Sequence, residues 1–308
     1  MYLLTDKRSS TGARLEKLKL ALNSGQLSIS SDDLFLFLCG ANKPDGTPSA
    51  RRESIKQFIE SLSKNHHVIY AENVFNELSS IGNKKNILDI EHELSELADK
   101  IIIVLESHSA FCELGAFSSQ EIRRKLLIIN DSNFKNKKSF INIGPISAAK
   151  AAKSPVIYYP MSHYGVEHID GIGATFASVK KSLEKTNRTI RNITIKNVTT
   201  ELKPNKYTLY FIHDIIFIVG PVEYKELIEI LKFIVGDRSF DVIKSILGIL
   251  TASEMVKGFS HNGSRIYSSL MRNTIMKYQR VDIGSITASF RLYHMKNNKK
   301  RIDDARNN

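Results

Sequence analysis

Four short aliphatic runs alternate with helical patterns in the first half of the chain, and no other feature constrains the fold as much. LFLFLCG (34–40), HVIYAEN (67–73), KIIIVLES (100–107) and LLIIND (126–131) read as buried strands. RRESIKQFIESLSK (51–64), NILDIEHELSELAD (86–99) and CELGAFSSQEIRRK (112–125) carry apolar residues at helical spacing. This alternation predicts an α/β fold, a doubly wound parallel sheet with right-handed crossovers. Such sheets bind ligands outside the carboxyl ends of their strands. Gly40, Glu72, Glu106 and Ser107 follow strands and become candidates, whereas Asp99 precedes its strand and belongs at the opposite edge.

The pattern changes after residue 150, and 308 residues are enough for two domains. We expect residues 1–150 to hold the α/β domain, led by a helix that carries Leu15, Leu18 and Leu22. Residues 151–308 are expected to form a smaller α+β domain. There, 222–235 and 239–253 read as helices, and Asn262-Gly263 marks a hairpin between two strand-like arms. Helix, helix and hairpin is a winged-helix-like order. The segment 207–219 is ambiguous between strand and buried helix, and the tail 291–308 reads as polar and mobile.

Of the formal charge of +12, the first 150 residues carry +2 and the remainder +10. A field of that sign favours polyanions, and Lys257, Arg265 and Arg272 are the candidate nucleic-acid contacts, with the basic tail (Lys296, Lys299, Lys300, Arg301) behind them. The longest apolar run, 209–220, is interrupted by His213 and Asp214, so no membrane span is expected. Two cysteines, Cys39 and Cys112, make no disulfide framework and no zinc pattern, and both are expected to be buried small residues. His66 and His67 read as surface residues. These features predict a cytoplasmic chain with no bound metal or cofactor.

ESHSAFCELGAF (106–117) carries the chemistry. Glu113 reads as a first-turn residue of a helix, where unpaired N–H groups and the helix dipole keep a carboxylate ionised. Glu106 adds a second carboxylate, Ser107 and Ser109 add hydroxyls, and Gly115 permits close approach. Glu72 and Glu91 converge on the same crevice, with Arg51 or Arg52 available to pair. Several carboxylates without a metal motif suit chemistry at an anomeric carbon: one attacks C1 of a ribosyl group or steadies its cation, another handles the leaving base.

FLCG (37–40), YAEN (70–73), the run from Glu91 to ELGAF, and RRKLLIINDSNFKNKKSFINIGP (123–145) resemble the effector proteins of retron defence systems. These are nucleoside 2-deoxyribosyltransferase-like toxins that accompany a retron reverse transcriptase. The resemblance implies a catalytic domain of that type followed by a winged-helix-like DNA-binding domain. It places Glu113 at the nucleophile, Glu91 at the acid that contacts the base, and Glu106 or Ser107 by the ribose. Gly40 falls in the loop on the phosphate or sugar side. Phe111 and Cys112 depart from the deoxyribosyltransferase pattern, which favours hydrolysis of a larger nucleotide over transfer between free bases. The implied activity is a toxic N-glycosidase acting on a nucleotide such as NAD, which is then substrate and not cofactor. Its implied partners are the reverse transcriptase and the multicopy single-stranded DNA (msDNA), which hold it inactive, with a homo-oligomer inside the larger complex as an option. A catalytically inactive nucleotide sensor and a DNA-binding regulator remain as alternative readings.

Overall fold

The computed structural model describes residues 4–24, 26–29, 33–83, 85–184, 186, 191–194, 202, 204–279 and 281–307. In chain order, α1 (Ser10–Ser24) and β1 (Gln26–Ile29) precede β2 (Leu34–Cys39), α2 (Ala50–Leu62), β3 (His66–Ile69) and α3 (Ala71–Ser80). Next come α4 (Ile87–Leu97), β4 (Lys100–Val104), α5 (His108–Ala116), β5 (Leu126–Asp131), α6 (Ser147–Ala151), β6 (Val156–Tyr159) and α7 (Phe176–Glu184). The chain then forms β7 (Arg191–Thr194), α8 (Lys206–Val219), β8 (Val222–Glu223), α9 (Tyr224–Val235) and α10 (Val242–Ala252). It ends with β9 (Val256–His261), β10 (Ser264–Ser269), β11 (Met276–Tyr278), α11 (Ile283–Asn297) and α12 (Lys299–Asn307).

Two compact units divide the chain, one of Asp32–Glu72 with Asn86–Arg188, the other of Met1–Ser31, Asn73–Lys85 and Thr189–Asn308. The first is the α/β unit. Its five strands are parallel in the order β3-β2-β4-β5-β6. From β2 the chain first winds toward β3 and then back toward β4, so the topological switch lies between β2 and β4. A crevice opens at the carboxyl ends of strands at such a switch. β2, β4 and β5 are buried on both faces, which explains their aliphatic runs. On one face Leu34, Leu36, Leu38, Ile102, Val104, Leu127 and Ile129 pack with Ile55 and Ile59 of α2 and Val179 and Leu183 of α7.

The division differs from the expected cut at residue 150. PVIYY supplies β6, whose backbone is paired with β5, so the α/β unit runs on to residue 188. The lead-in helix α1 instead packs against α9 and α11 in the other unit, where Leu15, Leu18 and Leu22 are fully buried. HVIYAEN yields a strand only to Ile69, and its last residues start α3. His66 and His67 are buried in β3, not on the surface: His66 Nδ1 bonds the Ile59 carbonyl and His67 Nε2 bonds Asp33.

In the second unit, β9 and β10 form the expected hairpin, and Asn262 and Gly263 both take positive φ (47° and 76°), the backbone of a two-residue turn matched to strand twist. β8 joins the edge of β10 to give one three-stranded sheet, and β1 pairs with β7 and β11 in another. The ambiguous 207–219 is helix α8. Asn205 caps it by accepting from the N–H groups of Tyr207 and Thr208, and burial nearly all round removes the amphipathic signature. The tail is not mobile: it forms the end of α11 and α12, and Arg301 is buried against Glu223 and Glu226.

The two polar residues that break the longest apolar run hold this unit together. Asp214 is fully buried and accepts from the N–H of Ile275 (2.8 Å) and Met276 (2.9 Å) and from the Tyr278 hydroxyl (3.0 Å), with His213 Nδ1 at 2.9 Å. Removing one side of such a constellation leaves buried donors without partners. Asp214→Ala is therefore expected to lower unfolding free energy by about 3–5 kcal/mol, read as a lower urea midpoint. Among the described residues, no helix is long and apolar enough to cross a membrane.

Candidate active site

The site is built on the first turn of α2. Ser49 caps that helix, its hydroxyl accepting the Arg52 N–H, and so brings two neighbouring arginines to the carboxyl end of β2. Arg52, 1% exposed, lies flat over the Tyr70 ring with its guanidinium carbon 4.5 Å from the centroid. Its Nη1 donates to Glu72 Oε1 (2.8 Å), to Asn42 (2.5 Å) and to the Ala41 carbonyl, and its Nη2 donates to Glu72 Oε2 (3.2 Å) and the Leu38 carbonyl. Burial disfavours the Glu72 carboxylate, but this fork overcomes it and holds Glu72 below the usual carboxylate range. A Cβ on Gly40 would stand 2.9 Å from Glu106 Oε1 and 3.0 Å from Arg52 Cδ, so glycine is needed there to admit both side chains.

Arg51 serves a second carboxylate. Glu106, just beyond β4, has a fully buried side chain that accepts from Arg51 Nη1 (3.0 Å), the Ser49 hydroxyl (2.5 Å) and the Ala41 N–H (3.1 Å). Asp170 grips the other edge of the Arg51 guanidinium at 2.7 and 3.0 Å and also accepts from Tyr159 and the Ser162 N–H. Glu106 thus ties the β2 loop to the end of β4.

Glu113 differs from expectation. The helix starts at His108 with Ser107 as its cap, so Glu113 is its sixth residue, beyond the first turn where the dipole acts. It is not held ionised. Burial, reinforced by the negative charges of Glu91 and Glu72 and only partly offset by Arg52, raises its pKa to about 7. Its Oε2 is buried and, among the described residues, has no hydrogen-bond partner. Glu91 is pushed upward too, first by burial and then by Glu72. Cys39, at the end of β2, is held strongly protonated by burial and next by the charge of Glu113. The charges of Glu72 and Glu91 act on Glu113, and those of all three, which come from three different helices, act on Cys39.

The remaining expected residues fall as follows. Ser107 accepts the Ala110 N–H as helix cap, and its hydroxyl lies 2.8 Å from that of Ser109. Gly115 is exposed and a Cβ there would meet nothing within 4 Å, so it makes no close approach. Cys112 is exposed, not buried. A cavity of about 520 Å³ opens beyond β4, β5 and β6, bounded by Glu106, Ser107, Phe111, Asp131, Phe134 and Ser162. Sequence reading passed over Asn42, Ser49, Tyr70 and Asp170, and only the Ser-Ala-Arg-Arg cap pattern at 49–52 hinted at them. Among the described residues no cluster of His, Cys, Asp or Glu is arranged to hold a metal ion.

In the other unit, Arg265 does not project freely: its Nε donates to Glu77 Oε1 at 3.0 Å and its Nη2 to Oε2, and the Tyr267 hydroxyl joins the same carboxylate. Lys257 is half-buried on β9, and Arg272 is exposed.

A parallel sheet with buried, mutually repelling carboxylates at its switch point defines an α/β protein with a built polar site. The family of STM3845 retron effector proteins matches residues 48–258, which take in every one of these carboxylates. Two curated Escherichia coli proteins are similar. One, named "Retron Ec73 putative ribosyltransferase/DNA-binding protein", is 43% identical over 284 residues, covering 87% of each chain. The other, "Retron Ec86 putative ribosyltransferase/DNA-binding protein", is 30% identical over 224 residues, covering 72% of this chain and 71% of its own. The chain belongs to the STM3845 retron effector protein family.

Proposed function

We propose that this retron effector is a nucleotide N-glycosidase of nucleoside deoxyribosyltransferase-like type. The observation that carries the reading is the pair Glu113 and Glu91, whose carboxyl groups are both raised by burial and by neighbouring negative charge. Both groups are held nearer their neutral forms than free carboxylates, as suits acid–base work in a crevice, and the family resemblance assigns Glu113 the attack and Glu91 the leaving base. Glu113 attacks C1′ as the base departs with a proton from Glu91, and water, giving its proton back to Glu91, then hydrolyses the glycosyl ester, releasing the sugar and restoring both groups. Arg52 and Glu72 form the fixed wall of the site, and Glu106, pinned by Arg51, shapes its sugar side with Ser107, Ser109 and Gly40.

The names of the two relatives, which join ribosyl transfer to DNA binding, support this reading. In the proposed system, the reverse transcriptase and its msDNA hold the toxin inactive. The second unit acts as a winged-helix-like nucleic-acid domain in which Arg272 and Lys257 meet phosphates.

The test is incubation of purified protein with NAD and with ribo- and deoxyribonucleotides, followed by chromatography for free base. Release by wild type but not by Glu113→Gln is expected; equal release by both overturns the assignment. Glu91→Gln adds substrate information. Nicotinamide leaves a cationic linkage as a neutral molecule, whereas a purine or pyrimidine departs with a proton. A loss of about 10²–10⁴-fold is expected for the latter and a smaller loss for NAD.

A further inference from the structure

The second unit contains a groove that neither its hairpin nor its core explains. Cavities of about 300 and 640 Å³ adjoin along α11, sharing Phe217, Arg291 and Met295 in their walls. α11 has two apolar faces. Ile286, Phe290 and His294 point inward and are buried, with His294 Nε2 bonded to the Val219 carbonyl at 2.8 Å. Ala288, Arg291, Leu292 and Met295 recur at i, i+3, i+4 and i+7 on the face that lines the groove, and Leu292 and Met295 are 52% and 61% exposed.

Arg272, Arg291 and Arg306 edge this groove, and among the described residues none of them has a carboxylate partner. This contrasts with Arg265 and Arg301, which are paired within the unit. Among the described residues, the walls contain no lysine, aspartate or glutamate. Arginine, methionine and phenylalanine enriched together, with lysine and acids depleted, is the composition of a protein-binding surface. Unbranched methionines, here Met271 and Met295, adapt to apolar side chains of a partner. Phosphate-tracking surfaces have no use for exposed leucine and methionine between their cations, which offer no π face to a base.

We propose that this groove docks an amphipathic helix of a protein partner, its apolar stripe laid along Leu292 and Met295 and its flanking carboxylates held by Arg291 and Arg306. Helix-in-groove recognition reads apolar anchors at helical spacing, and guanidinium forks match carboxylates two-on-two.

The test uses the full chain and fluorescence anisotropy with three labelled probes. The first is a helical peptide of about 20 residues with leucines at i, i+3, i+4 and i+7 and glutamates beside them. The second has the same composition in shuffled order, and the third is an oligothymidylate. The amphipathic peptide is expected to bind, and Leu292→Asp or Arg291→Glu to weaken it at least about tenfold while leaving the circular dichroism spectrum and base release unchanged. The shuffled peptide should bind far more weakly. Equal binding of the shuffled peptide would reduce the groove to a patch of charge. Oligothymidylate binding lost in these variants, with peptide binding unaffected, would make it a nucleic-acid groove. Absence of peptide binding also overturns the proposal.

Discussion

Glu113→Gln is expected to reduce base release by at least about a thousandfold, because amide nitrogen and oxygen cannot form the glycosyl ester and no other group replaces a nucleophile. The fold is expected to survive. Among the described residues, Glu113 Oε2 has no hydrogen-bond partner to lose, and the substitution removes a charge that burial and Glu91 both disfavour. The sign of the stability effect follows. A carboxyl whose folded pKa lies at about 7, against the ordinary 4.5, binds its proton more tightly in the native state. Native stability therefore falls as pH rises from about 4.5 to about 7 and is level above that. The Gln variant lacks this loss, so its melting temperature relative to wild type should rise between pH 5 and pH 8. Loss of activity with a lowered melting temperature at pH 8 would instead assign Glu113 a structural role.

The second large effect is in the pH profile. In kcat/KM, which reports the free protein, base release should climb as Glu113 loses its proton, with an acid limb near pH 7. Glu91 contributes to that position by repulsion. Glu91→Gln removes a negative charge from beside Glu113, so the limb should move to lower pH even as the plateau for purine or pyrimidine substrates drops. A purely structural Glu91 would leave the limb in place. A plateau that falls without any shift would mean that Glu91 donates protons but does not face Glu113.

Much of the sheet was legible because the physics is local. A parallel strand covered on both faces must be apolar along its buried stretch, and LFLFLC, IIIV and LLII each satisfy this without reference to the rest of the chain. The Asn262-Gly263 turn is likewise a property of two residues. The place of β6 in the sheet is not local in this way, because VIYY at the edge is only partly buried and its membership depends on pairing with β5. α1, expected to lead the α/β domain, packs in the other unit. Its leucine stripe states that it packs, not what it packs against.

The carboxylates show where sequence and structure part. Residue type, element position and the family resemblance make Glu72, Glu91, Glu106 and Glu113 the candidates, since acids with no metal partner are costly in a crevice. Their electrostatic states were not readable. Glu113 was expected to be ionised by a helix start, and a shift of a few residues in where α5 begins, set by Ser107 capping Ala110, moved it out of reach of the dipole and among Glu91 and Glu72. Arg265 looked like a free cation until Glu77, 188 residues away, was found on it. Sequence alone determined the layered fold and the chemical inventory, because strand burial and turn geometry act between neighbours in the chain. Only the tertiary structure decided which charges meet, which are neutralised and which are left repelling one another, because Coulomb energy and desolvation depend on distance and burial in space.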